Sequence, residues 1–295
     1  MITALTNMLL RRTVRRWFEN DANVADTRRK LARFIGLTDR MPRGWAARAA
    51  GTAGGAALHR VAPKAGLPED APLIVYFHGG GYIVGGLASH APFCARLGHA
   101  AGAAVLFVDY RLAPEHPFPA AFEDGVAAWR EAIRLARGKV FIAGDSAGGG
   151  LALAVAQAAI AAGERRPDGL ILLSPWLDLT LSGKSLAANA ATDAMLSRKI
   201  LTRMRDFYLG DREPGDRRDS PLFDANGALP PVLLIYSESE VLRDDSTRLA
   251  KKLRVAGTEV TARAFERAPH VFVLFGTLPA AGKALKEIGA FTRTA

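Results

Sequence analysis

Val140-Phe141-Ile142-Ala143-Gly144-Asp145-Ser146-Ala147-Gly148-Gly149 is the stretch that decides the fold. Its first four residues are an unbroken apolar run, the pattern of a strand buried on both faces of a parallel sheet. From Ala147 onward the chain is rich in alanine and leucine and reads as a helix to about residue 162. Between the two lies Gly144-Asp145-Ser146-Ala147-Gly148, a G-x-S-x-G sequence in the strand-turn-helix setting that a nucleophile elbow requires. Small neighbours suit the serine because bulky ones collide in so sharp a turn. The following helix aims its first amides and the positive end of its dipole at any oxyanion formed on Ser146. A chance turn of small residues is the competing reading, and the flanking strand and helix weigh against it.

Working outward, the same alternation continues. Residues 73–77, 104–109, 170–173 and 232–236 are further short apolar runs, and 260–265 supplies one more strand. Helical patterns fall at about 91–101, 121–136, 245–256 and 279–293. Alternation of this kind predicts an α/β fold with a doubly wound, mostly parallel central sheet flanked by helices. Residues 51–64 are glycine-rich with short β-like pieces. The rhythm breaks between about 178 and 229, too long for an ordinary crossover, and that segment reads as a helical insertion. Residues 1 to about 45 also read as helical, with Leu10, Val14, Trp17 and Phe18 forming an apolar stripe. Docking of that stripe on the main domain is expected, against a helix lying on a membrane surface.

Upstream of the serine, His78-Gly79-Gly80-Gly81 closes the run 73–77. Consecutive glycines let backbone amides turn outward and approach a ligand, which makes an oxyanion hole. A nucleotide-phosphate loop is the rival, but no Lys-Ser/Thr pair follows and the dinucleotide spacing is not met. His78 itself reads as a hydrogen-bonding brace for the loop. With Asp109-Tyr110-Arg111-Leu112-Ala113-Pro114-Glu115 and Ser174-Pro175-Trp176, these motifs resemble those of the hormone-sensitive-lipase-like bacterial esterases, over about residues 70–275. The resemblance implies an α/β-hydrolase fold with an eight-stranded sheet. It also implies a helical cap made from residues 1–50 and the insertion at about 178–229, over a main domain of 51–295. Oxyanion donors would be the amides of Gly79, Gly80 and Ala147, and Arg111 and Glu115 would pin the loop beside the elbow.

Such enzymes order their triad serine, acid, histidine. Of the six histidines, His59, His78, His90, His99 and His116 precede Ser146, and His270 alone follows it. His270 is therefore the expected base. For the acid, the chain departs from the commoner family pattern D-x-L-x-D: it has Glu240-Val241-Leu242-Arg243-Asp244. Either carboxylate type can orient the imidazole and offset its charge. Glu240 is the first candidate and Asp244 the second, while capping of the next helix is the expected task of Asp244 and Asp245. Glutamate here is also a feature of monoterpene lactone hydrolases of similar sequence.

These residues imply a carboxylic ester hydrolase acting on short to medium acyl esters, with a lactone hydrolase as the alternative. Trp176, Leu181, Phe207 and Tyr208, with Met195 and Leu209, are candidates for the substrate pocket or simply for core. A catalytically silent ligand-binding protein on the same fold is the rival from another class, and the presence of both Ser146 and His270 weighs against it. No metal or cofactor is called for, since neither H-E-x-x-H nor paired cysteines occur.

The net charge of +10 raises nucleic acid or an anionic surface as partner. Arginines are scattered, however, and no nucleic-acid-binding motif is present, so no nucleic-acid partner is expected. No stretch reaches the roughly 20 apolar residues that span a bilayer, and stable membrane insertion is not expected. The single cysteine, Cys94, excludes an internal disulfide framework and reads as core filler. The first ten residues precede rather than follow Arg11, Arg12, Arg15 and Arg16, the reverse of a signal peptide. The cytoplasm is the expected compartment, with a homodimer the assembly left open.

Overall fold

The computed structural model describes residues 1–21, 23–225 and 229–295; residue 22, in the N-terminal helical segment, and residues 226–228, in the insertion, lie outside the described residues. Among them, eight strands form one sheet in the order β1-β2-β4-β3-β5-β6-β7-β8. They are β1 (Trp45–Ala53), β2 (Ala56–Pro63), β3 (Leu73–Phe77), β4 (Ala104–Asp109), β5 (Val140–Asp145), β6 (Gly169–Leu173), β7 (Val232–Ser237) and β8 (Val260–Phe265). β3 to β8 run parallel, and β1 and β2 add an antiparallel edge to β4. This antiparallel pair takes up the glycine-rich stretch 51–64, which reads as short β-like pieces, and begins earlier, at Trp45, so the last residues of the segment expected in the cap belong to the sheet.

The central strands are buried on both faces, and the period-two alternation sorts their side chains. On one face Val75, Val140, Ile142, Leu170 and Leu234 pack with Trp129 of α5 (Ala120–Leu135), Leu151 and Val155 of α6 (Ala147–Ala161), and Leu249 of α9 (Arg243–Val255). On the other, Ile74, Phe141, Ile171 and Ile235 pack with Phe93 and Leu97 of α4 (Leu87–Ala101) and Ile288 of α10 (Pro279–Thr294). Each sheet face thus receives helices, the doubly wound arrangement that the apolar runs predict.

The N-terminal segment folds as α1 (Ile2–Arg12), α2 (Val14–Asn20) and α3 (Val24–Thr38), and the insertion carries α7 (Ser185–Ala188) and α8 (Arg198–Leu209). Backbone carbonyls of each segment are held by arginines of the other. Arg11 donates to Ala191 and Thr192 and Arg15 to Asp193, while Arg203 of α8 returns to Phe18 and Asp21. Arg28 of α3 joins the body by donating to Ile83 and Ala113 carbonyls and to the Glu115 carboxylate, at 2.7–2.8 Å. Leu10, Val14 and Phe18 are buried as the stripe predicts; Trp17 is half-buried, edge-on to Phe34. Among the described residues no helix is long and apolar enough to cross a membrane.

Candidate active site

β5 ends at Asp145 and α6 begins at Ala147, so Ser146 occupies the turn itself, with φ 51° and ψ −121°. A left-handed φ is costly for a residue with a side chain and persists only where the surroundings enforce it. Here β5 and α6 cross so closely that a Cβ on Gly144 would sit 2.2 Å from the Gly148 carbonyl oxygen, and one on Gly148 would sit 2.1 Å from the carbonyl oxygen of Phe77 at the end of the neighbouring β3. Ser146 is thereby held in the wall of a cavity, in reach of the loop that follows β8.

His270 follows β8 on a loop, and its Nε2 lies 2.9 Å from Ser146 Oγ. Its Nδ1 lies 2.8 Å from Glu240 Oε2, which fixes the tautomer when Nδ1 carries the proton. Glu240 is fully buried and also accepts from the Ser237 amide at 3.2 Å. Its loop is held from the insertion: Asn189 Nδ2 donates to the carbonyls of Glu238 and Glu240, and Asp193 accepts from the Val241 amide. Burial opposes the charged imidazolium, but the Glu240 hydrogen bond and charge, with the charges of Asp193 and Asp145, outweigh it and raise the His270 pKa.

Asp244 and Asp245 lie elsewhere. α9 starts at Arg243, so both occupy its first turn and neither caps it, contrary to expectation. Asp244 accepts from the Ser185 amide, and the buried Asp245 accepts from the amides of Leu177 and Asp178 at 2.7 and 3.1 Å. Both tie the start of the insertion to α9.

The glycine loop after β3 departs from expectation at one residue. The Gly79 amide donates to Asp145 Oδ1 at 2.8 Å, so it is already engaged and does not face an oxyanion. The amides of Gly80 and Gly81 meet no acceptor among the described residues, and neither does that of Ala147 at the start of α6. Gly80 and Gly81 have φ of 116° and 62°, which glycine adopts without strain. Asp145, which the motif contains but whose role the sequence left blank, anchors this loop. It also accepts from Tyr76 Oη at 2.5 Å and lies 3.6 Å from His90. Burial opposes its charge, but His90, Tyr76 and the Gly79 amide hold its carboxyl below the usual range. His78 braces the loop through the Gly79 carbonyl and stacks on Tyr110. Burial, followed by the charge of His90, lowers its pKa to about 3, so the brace is neutral.

Arg111 and Glu115 each make pairs, though with partners outside their own motif. Arg111 binds the buried Asp124 of α5 at 2.8 Å, and Glu115 binds Arg28.

Above Ser146 and His270 lies a cavity of about 130 Å³. Trp176 and Met195 line it as predicted, together with Val14, Phe18, Leu31 and Met204. Leu181, Phe207 and Tyr208 do not. Leu181 is buried in its loop, Phe207 lies under the Arg203 guanidinium, and Tyr208 stacks on Tyr82 with ring centres 3.8 Å apart. Their apolar character serves packing, because the α8 face that meets the cavity carries Leu201 and Met204 instead.

Residues 74–274 match the family described as alpha/beta hydrolase fold. An acetyl-hydrolase of Streptomyces hygroscopicus is 41% identical over 233 residues, 77% of this chain and 77% of its own. An esterase of Acinetobacter venetianus is 39% identical over 224 residues, 74% of each. The crystal structure of an esterase from the bacterial hormone-sensitive lipase family superposes with a TM-score of 0.91 at 31% identity, covering 99% of this chain and 97% of that one. The chain therefore belongs to the α/β-hydrolase family and, within it, to the hormone-sensitive-lipase-like esterases. It is a carboxylesterase.

Proposed function

We propose that Ser146, His270 and Glu240 form the catalytic triad and that the substrates are esters of short to medium acyl chains. The observation that carries the first part is the unbroken line from Ser146 Oγ to His270 Nε2 and from His270 Nδ1 to Glu240 Oε2, at 2.9 and 2.8 Å. Ser146 attacks the ester carbonyl as its proton passes to Nε2, and Glu240 offsets the charge that develops on the ring. The free amides of Gly80, Gly81 and Ala147 receive the oxyanion. Collapse of the tetrahedral species breaks the carbonyl–alkoxy bond, and His270 returns the proton to the departing alcohol. Water, deprotonated by His270, then attacks the acyl-serine, and His270 returns that proton to Ser146 Oγ as the Oγ–acyl bond breaks and the acid leaves.

The size of the cavity supports the substrate range. About 130 Å³ is small beside the roughly 300–1,000 Å³ of sites for drug-sized ligands. The acetyl-hydrolase relative points the same way. An organophosphonate ester should add to Ser146 alone on peptide mapping, and Ser146→Ala should be inactive. Across p-nitrophenyl esters of increasing length and a set of lactones, kcat/KM should peak among the short chains. Label on another residue removes the nucleophile; a peak among long chains or lactones removes the substrate range.

A further inference from the structure

Helix α1 is apolar on two sides. Leu10 faces the core, but Ile2, Leu5, Met8 and Leu9 lie on the other side and are 44%, 60%, 43% and 44% exposed. The remaining large exposed hydrophobics among the described residues, apart from Met1, are Leu135, Phe223 and Val255 on separate elements. Positions 2, 5 and 9, flanked by 8, fall on one helical stripe. Arg12 is three residues past Leu9 and ends that stripe, and Arg16 follows in α2. Both are exposed, and neither has a hydrogen bond or ion pair among the described residues. Arg11 and Arg15, by contrast, are engaged by carbonyls of the insertion.

An exposed apolar stripe that runs into uncompensated guanidinium groups matches a surface that is hydrocarbon inside and negative outside. The +10 net charge of the chain favours the same surface at longer range. We infer that α1 is an interfacial anchor that seats this enzyme on anionic phospholipid bilayers. The helix lies in the plane of the headgroups with Ile2, Leu5, Met8 and Leu9 inserted and Arg12 and Arg16 on lipid phosphates. It does not span the bilayer. Val14 and Phe18, just beyond it, line the Ser146 cavity, so the seated enzyme holds its site next to the lipid. The inference does not depend on which carboxylate completes the triad.

The test is co-sedimentation of the full chain with vesicles of phosphatidylglycerol and phosphatidylcholine, and of phosphatidylcholine alone, at low and high salt. The protein should pellet with the anionic vesicles and be released by salt. Leu5→Gln with Leu9→Gln, through the loss of inserted apolar area, and separately Arg12→Gln with Arg16→Gln, through the loss of two surface arginines, should each weaken partitioning by about tenfold or more. Both variants should keep wild-type melting temperature and hydrolysis of a water-soluble ester. The inference fails if the wild type stays in the supernatant, if pelleting is indifferent to lipid charge, or if both variants pellet like wild type. It also fails if sedimentation equilibrium finds a dimer that Leu5→Gln with Leu9→Gln dissociates while vesicles go unbound, since a second copy then covers the stripe.

Discussion

His270 is pulled in opposite directions: burial disfavours its charged form, and Glu240 favours it more strongly. With the pKa raised above the ordinary value of about 6.5, the neutral base is lost as pH falls, so the acid limb of kcat/KM should lie above that value. Glu240→Gln removes the main raising influence and leaves burial in place, which should move the limb to lower pH. The same variant should lower kcat by roughly two to four orders of magnitude with little change in KM, by analogy with serine proteases whose acid is disabled. A pH–rate profile of both enzymes checks this. An unmoved limb, or near wild-type kcat in a folded variant, would remove Glu240 from the triad. At this scale the sequence reveals residue types in fixed local settings, which is why Ser146 and His270 could be singled out in it as candidates. It does not reveal where an amide points. Gly79, Gly80 and Gly81 are chemically alike, and only the carboxylate of Asp145 beneath them separates the first from the others.

The first turn of α9 shows what sequence spacing alone misassigns at the scale of elements. An aspartate pair ahead of a helical run reads as capping, yet Asp245 serves the backbone of Leu177 and Asp178, and Asp244 that of Ser185. Those partners lie 68, 67 and 59 residues away, and no local pattern encodes them. Strands and helices were legible because period-two and helical spacing are local properties. The insertion's packing, including the Asp193 link to Val241, was not. Burial, joined by the charge of Asp178, pushes the Asp245 carboxyl up to about 8 despite its two amide donors. In the unfolded chain the value is about 3.9. A group raised on folding holds its proton better in the native state, so its stabilising effect is full below about pH 4 and is lost as pH rises through about 8. Asp245→Asn keeps the acceptor oxygen and cannot ionise. Its melting temperature should therefore depend less on pH between about 4 and 8 than that of the wild type. Parallel curves would show that Asp245 does not titrate in this way.

On the scale of the whole molecule, the parallel sheet carries Ser146, Glu240 and His270 at or just beyond its strand ends, while the cavity wall is completed by Met195, Leu196, Leu201 and Met204 of the insertion and by the N-terminal helices. Arg28 is a main clasp between those helices and the sheet, reaching the Ile83 and Ala113 carbonyls beside the glycine loop. Arg28→Met keeps the apolar stem and deletes the hydrogen bonds. It should cost about 1–3 kcal/mol and lower the melting temperature by a few degrees, with the serine still reactive to phosphonate. A variant that melts like wild type would mean that other contacts hold the helices. Cys94 lies at the opposite extreme of exposure, sealed between α4 and the sheet, and burial pushes its thiol far above the usual range. As the single thiol of the chain, it makes the molecule its own clock. A thiol-selective alkylating reagent in solution meets no thiol until the protein opens, so the rate at which label accumulates on Cys94 reads out the frequency of opening under working conditions.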